Sequence, residues 1–590
     1  MTMPAKRAPA KTMPAIGKLC AIIFAVAVGL GLGGSEAATV LQVGTLIDGN
    51  GGEPIKDAVI VIDGERIQAV GKNGTVKVPA GAQIIQLKDK TVIPGLIDTH
   101  AHYRAWQAEL YVGNGITTAY DIGDQPLAWS LVQRDAIAHG KIVGPRLLLG
   151  GRLNGPGPSD EGEGGSRGRT LNTAVKTPEE ARQRTRELLA MHVDAIKALE
   201  HLTVEQLKAI TEEAHQAGKI VITHSVNGID AVLAGVPVDD IEHFHTVTMG
   251  TIGDDERKKL DKARTSASNR MTSQEVLSFM DEQYYDRTIQ AMLAHHTSWS
   301  PTMAQAWRAF SPSRATFEAE DHKLLDNPAL RYIPPYFRQN IENYYAGTAK
   351  LAPELDSRVR KGYANLKPFI HRFAEAGGKL QTGSDPDAGM PGYGVHQEMA
   401  LFVEAGLTPM QALMAATRNP AERQGRLKDF GVIAPGTFAD LVVLDANPLD
   451  NILNTQRIAM IFQQGRLLKK PYFHANYHNP IPRPQPDRQA PEIDDVQPAS
   501  LVEGDDAATL TITGRNFLGT DIVKLNGKPV PATVKARATK FPQNYQRSRE
   551  MTVNLPAGFK RAPGTYTITV EHPGEGGVVS TPAYVVVGFK

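Results

Sequence analysis

Cysteine is almost absent: the 590-residue chain has one, Cys20. It lies in an N-terminal segment expected to be removed, so disulfides cannot staple the remainder. Any metal must then be held by His, Asp, Glu or a modified Lys. Net charge is also missing, with 64 Lys and Arg against 63 Asp and Glu. That balance gives no reason to expect nucleic acid or an acidic membrane as a partner. Aromatic residues are sparse at 6%, but 41% apolar residues supply material for large cores. The apolar run Leu19–Leu32 is shorter than the ~20 residues that span a bilayer.

That run follows a basic stretch (Lys6, Arg7, Lys11, Lys18) and precedes the small residues Gly33–Ala38. Such an order is that of a secretory signal, with cleavage expected after Ala37 or Ala38. A lipoprotein cysteine would follow the run, whereas Cys20 stands at its start. The expected protein is therefore exported, periplasmic or extracellular, with no stable membrane span once residues 1–38 are removed.

The length suggests two to four domains. Residues 39–93 read as β structure, with apolar runs at Asp57–Asp63 and Ala82–Leu87 bounded by turn signals such as Asp48–Gly52. A similar texture returns at Asp440–Asp445 and Ile458–Phe462, so 39–93 and 427–470 are expected to form one flanking β-sandwich. Between them, short apolar runs alternate with amphipathic stretches. The runs are Val92–Ile97, Thr117–Ile122, Arg146–Leu149, Ala195–Ala198, Lys219–Thr223, Val238–Glu242, Thr297–Thr302 and Lys379–Gly383. Helical spacing is clear in Thr177–His192, Thr203–Ala217, Ser273–His296 and Arg358–Ala376, with Gly218 and Gly377 at expected helix stops. Eight strands alternating with helices predict an α/β fold, a TIM (β/α)8 barrel over 94–426. The segment 250–360 exceeds one repeat and is left unplaced. Residues 471–490 are a Pro-rich linker. Short alternating strands at Thr509–Thr513, Ile522–Leu525, Met551–Leu555 and Thr565–Val570 predict an all-β, immunoglobulin-like domain over 491–590.

The chemistry concentrates at strand ends. His100 and His102 are two apart on a strand and share a face. Lys197, His224 and His243 end later strands about one βα repeat apart, and Asp385 follows the last. A lone His-x-His pair is mostly structural, and a lone strand-end lysine is usually a salt-bridge residue. Four histidines, a lysine and an aspartate in this register mark the carboxyl end of a barrel, where TIM-barrel sites are built. His215, inside a helix, and His295–His296, at a helix end, are discounted. Tyr103 and Arg104, just past the pair, are candidates to meet a substrate carboxylate, and His396 is a substrate-pocket candidate. Gly155–Pro158 and Gly162–Gly168 read as a loop over the site without the strand-to-helix context of a phosphate loop.

Val92-Ile-Pro-Gly-Leu-Ile-Asp-Thr-His-Ala-His102 resembles the opening strand of the amidohydrolase superfamily. Ile196-Lys197, Thr223-His224-Ser225, Ile241-Glu242-His243 and Thr382-Gly-Ser-Asp385 match its later metal-site strands in order. Glu404–Pro409, Ala415–Thr417 and Gly436–Asp445 are similar to the tail of its imidazolonepropionase-like and prolidase-like branch. Residues 491–590 resemble an IPT/TIG domain through Gly514-Arg-Asn-Phe517. The resemblance implies a metal-dependent hydrolase of an amide-type C–N bond, with two Zn2+ per chain. His100 and His102 would hold the first metal, His224 and His243 the second. Lys197, converted by CO2 to a carbamate, would bridge them. Burial between cations lowers a lysine pKa, which leaves the amine neutral enough to react. Asp385 would touch the first metal and serve as proton acceptor from the bridging water, whose pKa falls from 15.7 toward ~7 on a metal.

The expected partner is a small-molecule substrate. Homo-oligomerisation stays open, and the C-terminal sandwich is a surface for another protein or cell-surface material. The competing enzymes are a lactone or phosphoester hydrolase on the same site and a one-metal deaminase. Family deaminases carry Glu three residues after the fifth-strand histidine, where this chain has Asn227. The non-enzymatic alternative is a surface binding protein acting through its C-terminal sandwich.

Overall fold

The computed structural model describes residues 37–156, 174–265, 272–468 and 491–588, except 124, 126, 226, 328–329, 331–332, 334, 387–388, 505, 518–520, 535–547, 558, 573–578 and 581–582. The predicted signal (1–36 of it), the linker 471–490 and the glycine-rich loop from 157 to 168 lie outside the described residues.

Seven parallel strands follow one another in chain order around a barrel: Leu96–Ala101, Ile116–Asp121, Arg146–Leu153, Ala195–Ala198, Ile220–Thr223, Asp240–Glu242 and Ser298–Ser300. The eighth predicted strand, Lys379–Gly383, makes only an isolated parallel bridge, Trp299 to Leu380. Its Thr382 amide donates to the Ala415 carbonyl at 3.0 Å, outside the ladder, which keeps it from pairing fully. It still links the seventh strand to the first. Gln381 N–H donates to Trp299 at 2.8 Å, and Thr99 N–H on the first strand donates to the Thr382 carbonyl at 2.9 Å. The barrel is thus TIM-like and nearly closed. The first barrel strand begins at Leu96 and not at Val92, because Val92–Pro94 finishes a strand of the flanking sheet, Gln83–Pro94.

That flanking sheet has seven strands, in the order Arg466–Leu468, Ile458–Gln463, Leu441–Leu444, Gln83–Pro94, Thr39–Leu46, Ile55–Asp63 and Arg66–Lys72. Chain segments from both sides of the barrel build it, as the returning apolar texture predicts. It curls: the edge residue Ile67 exchanges hydrogen bonds with Thr437 and Gly436, beyond the middle of the sheet. The rolled sheet encloses Leu41, Ile60, Ile62, Leu87, Leu441, Val443 and Phe462.

Helix starts follow their caps. Thr177 accepts from Glu180 N at 3.1 Å and opens Pro178–Ala190. Thr203 and Gln206 form a capping box on Val204–Gln216. Gly218 and Gly377 take φ of +65° and +89° beyond their helices, where a side chain would be strained. The helix predicted over Ser273–His296 is broken. It forms as Ser273–Val276 and Tyr285–Ala294, with Met280 and Asp281 extended between them and the Asp281 carboxylate accepting from Gln283 N at 3.0 Å. The helix expected from Arg358 starts at Pro353, which fits a first helical position. The unplaced region supplies Asp254–Thr265, Met303–Ala306, Arg314–Leu325 and Pro335–Thr348. The last two pack Leu325, Phe337 and Ile341 with Trp106, four residues past His102.

The C-terminal domain is a two-sheet sandwich. One sheet runs Glu492–Gln497, Ala508–Phe517, Ser548–Leu555, Ala532–Val534; the other runs Ser500–Val502, Ala583–Gly588, Gly564–Glu571, Ile522–Leu525, Lys528–Val530. Alternating inward residues such as Leu510, Ile512, Val523, Leu525, Val553, Ile568 and Val570 form its core.

Candidate metal centre

The six residues read from strand ends meet at one end of the barrel. His100 is the fifth residue of a fully buried strand and His102 lies just beyond it. Their Nε2 atoms are 3.3 Å apart. Lys197 is the third residue of Ala195–Ala198 and 1% exposed. His224 and His243 each follow their strand directly, with ring centroids 5.4 Å apart. His100 and His243 are closer, at 4.7 Å. Asp385 arrives from the eighth segment through its amide, which donates to the His100 carbonyl at 2.9 Å. Its Oδ1 is 3.3 Å from Nε2 of His102, and its Oδ2 is 3.7 Å from Nδ1 of His243.

The residue missing from the sequence reading is Glu242. It is fully buried, its Oε1 stands 2.9 Å from Nδ1 of His100, and its Oε2 contacts Nζ of Lys197. The signal was present. Asp240 and Glu242 alternate along a strand whose three residues are all buried, a place normally filled by apolar side chains. Asp98 was missed for the same reason, two residues before His100 on the same face. Its carboxylate accepts from His100 N at 3.1 Å, from Ser384 N at 3.0 Å and from the Ser384 hydroxyl, tying the first strand to the segment carrying Asp385. Burial pushes Asp98 up to about 6 against those hydrogen bonds. Asp121 fixes the turn after the His pair by accepting from Tyr103 N at 3.2 Å, Gly123 N at 3.2 Å and the Ser130 hydroxyl at 2.7 Å.

Two histidines of the centre are held well below the ordinary imidazole range, which favours the neutral form that can ligate a cation. Burial is the main cause at His100, helped by the charge of Lys197. At His243 burial also dominates, against the opposing pull of Asp385. His243 and Asp385 both take positive φ, 64° and 38°, a strain that concentrates at functional sites. Donor atoms of His100, His243 and Asp385 lie within 4.8 Å of one another, and so do those of His224, Glu242 and His243. Buried imidazole nitrogens and carboxylate oxygens at this spacing are a donor set suited to a divalent metal such as zinc.

The substrate-side candidates fare differently. Arg104 is half-buried directly after the pair, its amide donating to Gln107 Oε1 at 2.9 Å. Tyr103 is fully buried, with its ring 6.4 Å from Tyr111 and 6.0 Å from Trp129. It belongs to an aromatic core and not to an exposed loop. His396 is a correction. It too is fully buried, and its ring nitrogens are taken by Thr455 Oγ1 at 2.9 Å and the Asn114 carbonyl at 3.0 Å. It holds the helix Gly394–Glu404 in place and has no ring nitrogen left for a substrate. His215 pairs with Asp239 at 2.7 Å, beneath the opposite end of the barrel strands. Asn227 donates to the Leu202 carbonyl at 2.8 Å.

Comparison with known proteins places the chain in a family. The Amidohydrolase family profile matches residues 91–468, more than half the chain, and the IPT/TIG domain profile matches 491–586. Members of that family are generally metal-dependent. A curated relative, Adenine deaminase 2 of Agrobacterium fabrum (strain C58 / ATCC 33970), is 36% identical over 104 residues, 16% of this chain and 17% of that protein. The chain thus spans about a sixth of the length of the curated relative it matches. A Xaa-Pro dipeptidase structure with bound methionine is 23% identical, covers 74% of this chain and 100% of its own, and has a TM-score of 0.52. Ochratoxinase from A. niger is 20% identical over 75% of this chain and 99% of its own, with a TM-score of 0.53. Molinate hydrolase is 22% identical over 73% and 95%, with a TM-score of 0.51. At these identities the likeness is one of fold. The profile matches show that the chain belongs to the amidohydrolase family and carries a C-terminal IPT/TIG domain.

Proposed function

We propose that the protein hydrolyses an amide-type C–N bond in a dipeptide, an N-acyl amino acid or a cyclic amide, at a centre of two divalent cations. The observation that supports this most is the overlap of two donor groups, His100–His243–Asp385 and His224–Glu242–His243, at the carboxyl end of the barrel. In this reading His100, His102 and Asp385 would hold one cation, His224 and His243 would hold the other, and Lys197 as a carbamate would serve both. The cations, most simply Zn2+, would supply Lewis acidity and a water that loses its proton near neutral pH.

The chain's own residues do the rest. Asp385 accepts the proton of the attacking water and returns it to the leaving nitrogen. Its position near both His102 and His243 suits a group that serves the whole centre. The Glu242 carboxylate stands 2.9 Å from Nδ1 of His100, and its negative charge there favours the tautomer protonated at Nδ1, which would leave the Nε2 lone pair for the centre. A carbamate beside Glu242 would juxtapose two anions, which only nearby cations would offset; Lys197 modification and metal loading are therefore coupled. Arg104 would take a substrate carboxylate. Residues 1–38 would direct export, and the IPT/TIG domain would bind another protein or cell-surface material.

Zinc-loaded protein screened against dipeptides, N-acyl amino acids and cyclic amides should hydrolyse a subset of them. Turnover confined to lactones or phosphoesters would overturn the amide assignment.

A further inference from the structure

The first, fourth, fifth and sixth barrel strands and the eighth segment each end in a residue of the centre. The seventh strand, Ser298–Ser300, contributes none of the six, yet its residues surround His243. The His243 amide donates to the Ser300 carbonyl at 2.8 Å. The Trp299 indole N–H donates to the His243 carbonyl at 3.1 Å. Just past the strand, Thr302 Oγ1 lies 2.9 Å from Nδ1 of His243.

Both ends of that last contact are strained. Thr302 sits at φ 51°, ψ 45°, a left-handed conformation that a β-branched residue rarely adopts. His243 has φ 64°. A strained turn persists only where its surroundings over-determine it. Here the surroundings are Glu398, fully buried on the helix Gly394–Glu404. Its two carboxylate oxygens accept from Met303 N at 3.0 Å and Ala304 N at 2.6 Å, the two amides that follow Thr302. Glycine would fit this turn without strain, so the threonine side chain has to supply something glycine lacks.

We infer that Thr302, held by Glu398, is the positioning residue of His243. The inference rests on the reading of His243 as a metal ligand. Two oxygens address Nδ1: the Thr302 hydroxyl at 2.9 Å and the Asp385 carboxylate at 3.7 Å. The hydroxyl can accept from Nδ1 and the charge of the carboxylate favours a proton there; with the proton on Nδ1, Nε2 keeps its lone pair for a cation. Thr302 thus fixes the orientation of the sixth-strand histidine from outside the centre. The seventh strand supplies orientation where its neighbours supply ligands.

Thr302→Gly separates the structural role from the positioning role, because it relieves the backbone and deletes the hydroxyl. Zinc affinity by competition with a chromophoric chelator, and melting temperature in excess chelator, are measured on the full chain. Thr302→Gly should melt at or above wild type yet bind zinc about 10- to 100-fold more weakly, the usual effect of losing a partner of a metal-bound histidine. Thr302→Ser should stay close to wild type in affinity. Glu398→Gln, which keeps one acceptor oxygen, should weaken zinc binding less than Thr302→Gly. Wild-type affinity in Thr302→Gly would overturn the positioning role while leaving the metal centre intact. Absence of zinc binding in wild type would instead remove the metal-centre reading beneath it. If Thr302→Gly does not fold, Thr302→Ala against Thr302→Ser decides: a weaker Ala variant supports the role, and equal affinities overturn it.

Discussion

The barrel and the C-terminal sandwich both bury apolar cores, but they treat polar side chains in opposite ways. Among the described residues, the sandwich buries few polar side chains: Arg561, His572 with its partner carboxylate Asp521, and Ser580. Each is matched locally: Arg561 donates to the Asp506 carbonyl at 2.6 Å, His572 pairs with Asp521 at 2.5 Å, and the Ser580 hydroxyl accepts from Val570 N at 3.0 Å. The barrel instead buries Asp98, His100, Lys197, Asp240, Glu242, His243, Asp385 and Glu398. Burying an ionisable group costs several kcal/mol unless it is paired. A fold that gathers so many inside and around one barrel is less stable than its apolar equivalent, and chemistry is the gain that offsets the cost. The sandwich's polar groups merely complete its loops and edges.

The contrast predicts that substitutions matter in proportion to their place in the buried polar set. Lys197→Ala should lose metal and turnover together, by about 10³-fold or more in kcat, as when a member of a catalytic unit is removed. Short carboxylates should partly restore both, while Lys197→Arg should not, since a guanidinium stays protonated. Retained activity in Lys197→Arg would reduce the lysine to a salt-bridge residue. Glu242→Gln should cost about 10- to 100-fold in metal affinity with the fold intact, read by chelator competition.

Asp240 tests the cost of burial itself. It accepts from Ser300 at 3.1 Å and Gln381 at 3.0 Å, and burial pushes it up to about 7. The native state then keeps a proton that the unfolded chain releases above about pH 4. Stability should fall as pH rises from about 4 to about 7, by at most about 4 kcal/mol. Asp240→Asn should flatten that slope in denaturant titrations at several pH values, and an unchanged slope would place its origin elsewhere. The smallest effects on chemistry belong to the sandwich. Leu510→Ala should destabilise it by about 2–5 kcal/mol, and a chain ending near residue 478 should keep its kcat/KM on a small substrate. A fall in turnover with the barrel still folded would show that the sandwich shapes the site or the assembly.

The same contrast explains what could be read from sequence. Short apolar runs bounded by turn residues located the barrel and sandwich strands, because period and length are local properties. His100, His102, Lys197, His224, His243 and Asp385 stood out as a group in the sequence because each falls at or near the carboxyl end of a barrel segment, and the structure brings them to one end of the barrel. Glu242 was not, because a single acidic residue inside a strand reads as surface until burial on both faces is known. His396 misled because helix packing, not proximity in sequence to Asp385, decides where a histidine points. The break at Met280–Asp281 escaped because a local Asp cap competed with an otherwise continuous helical pattern. Thr302 was invisible, since nothing in a sequence reports a left-handed turn at a threonine.

The number of metal ions per chain tests the two-cation centre most directly. Elemental analysis of purified, zinc-equilibrated and dialysed protein should give two equivalents in wild type and a clear deficit in Lys197→Arg. Two equivalents in an active Lys197→Arg protein, or one or none in wild type, would contradict a two-cation centre bridged by Lys197.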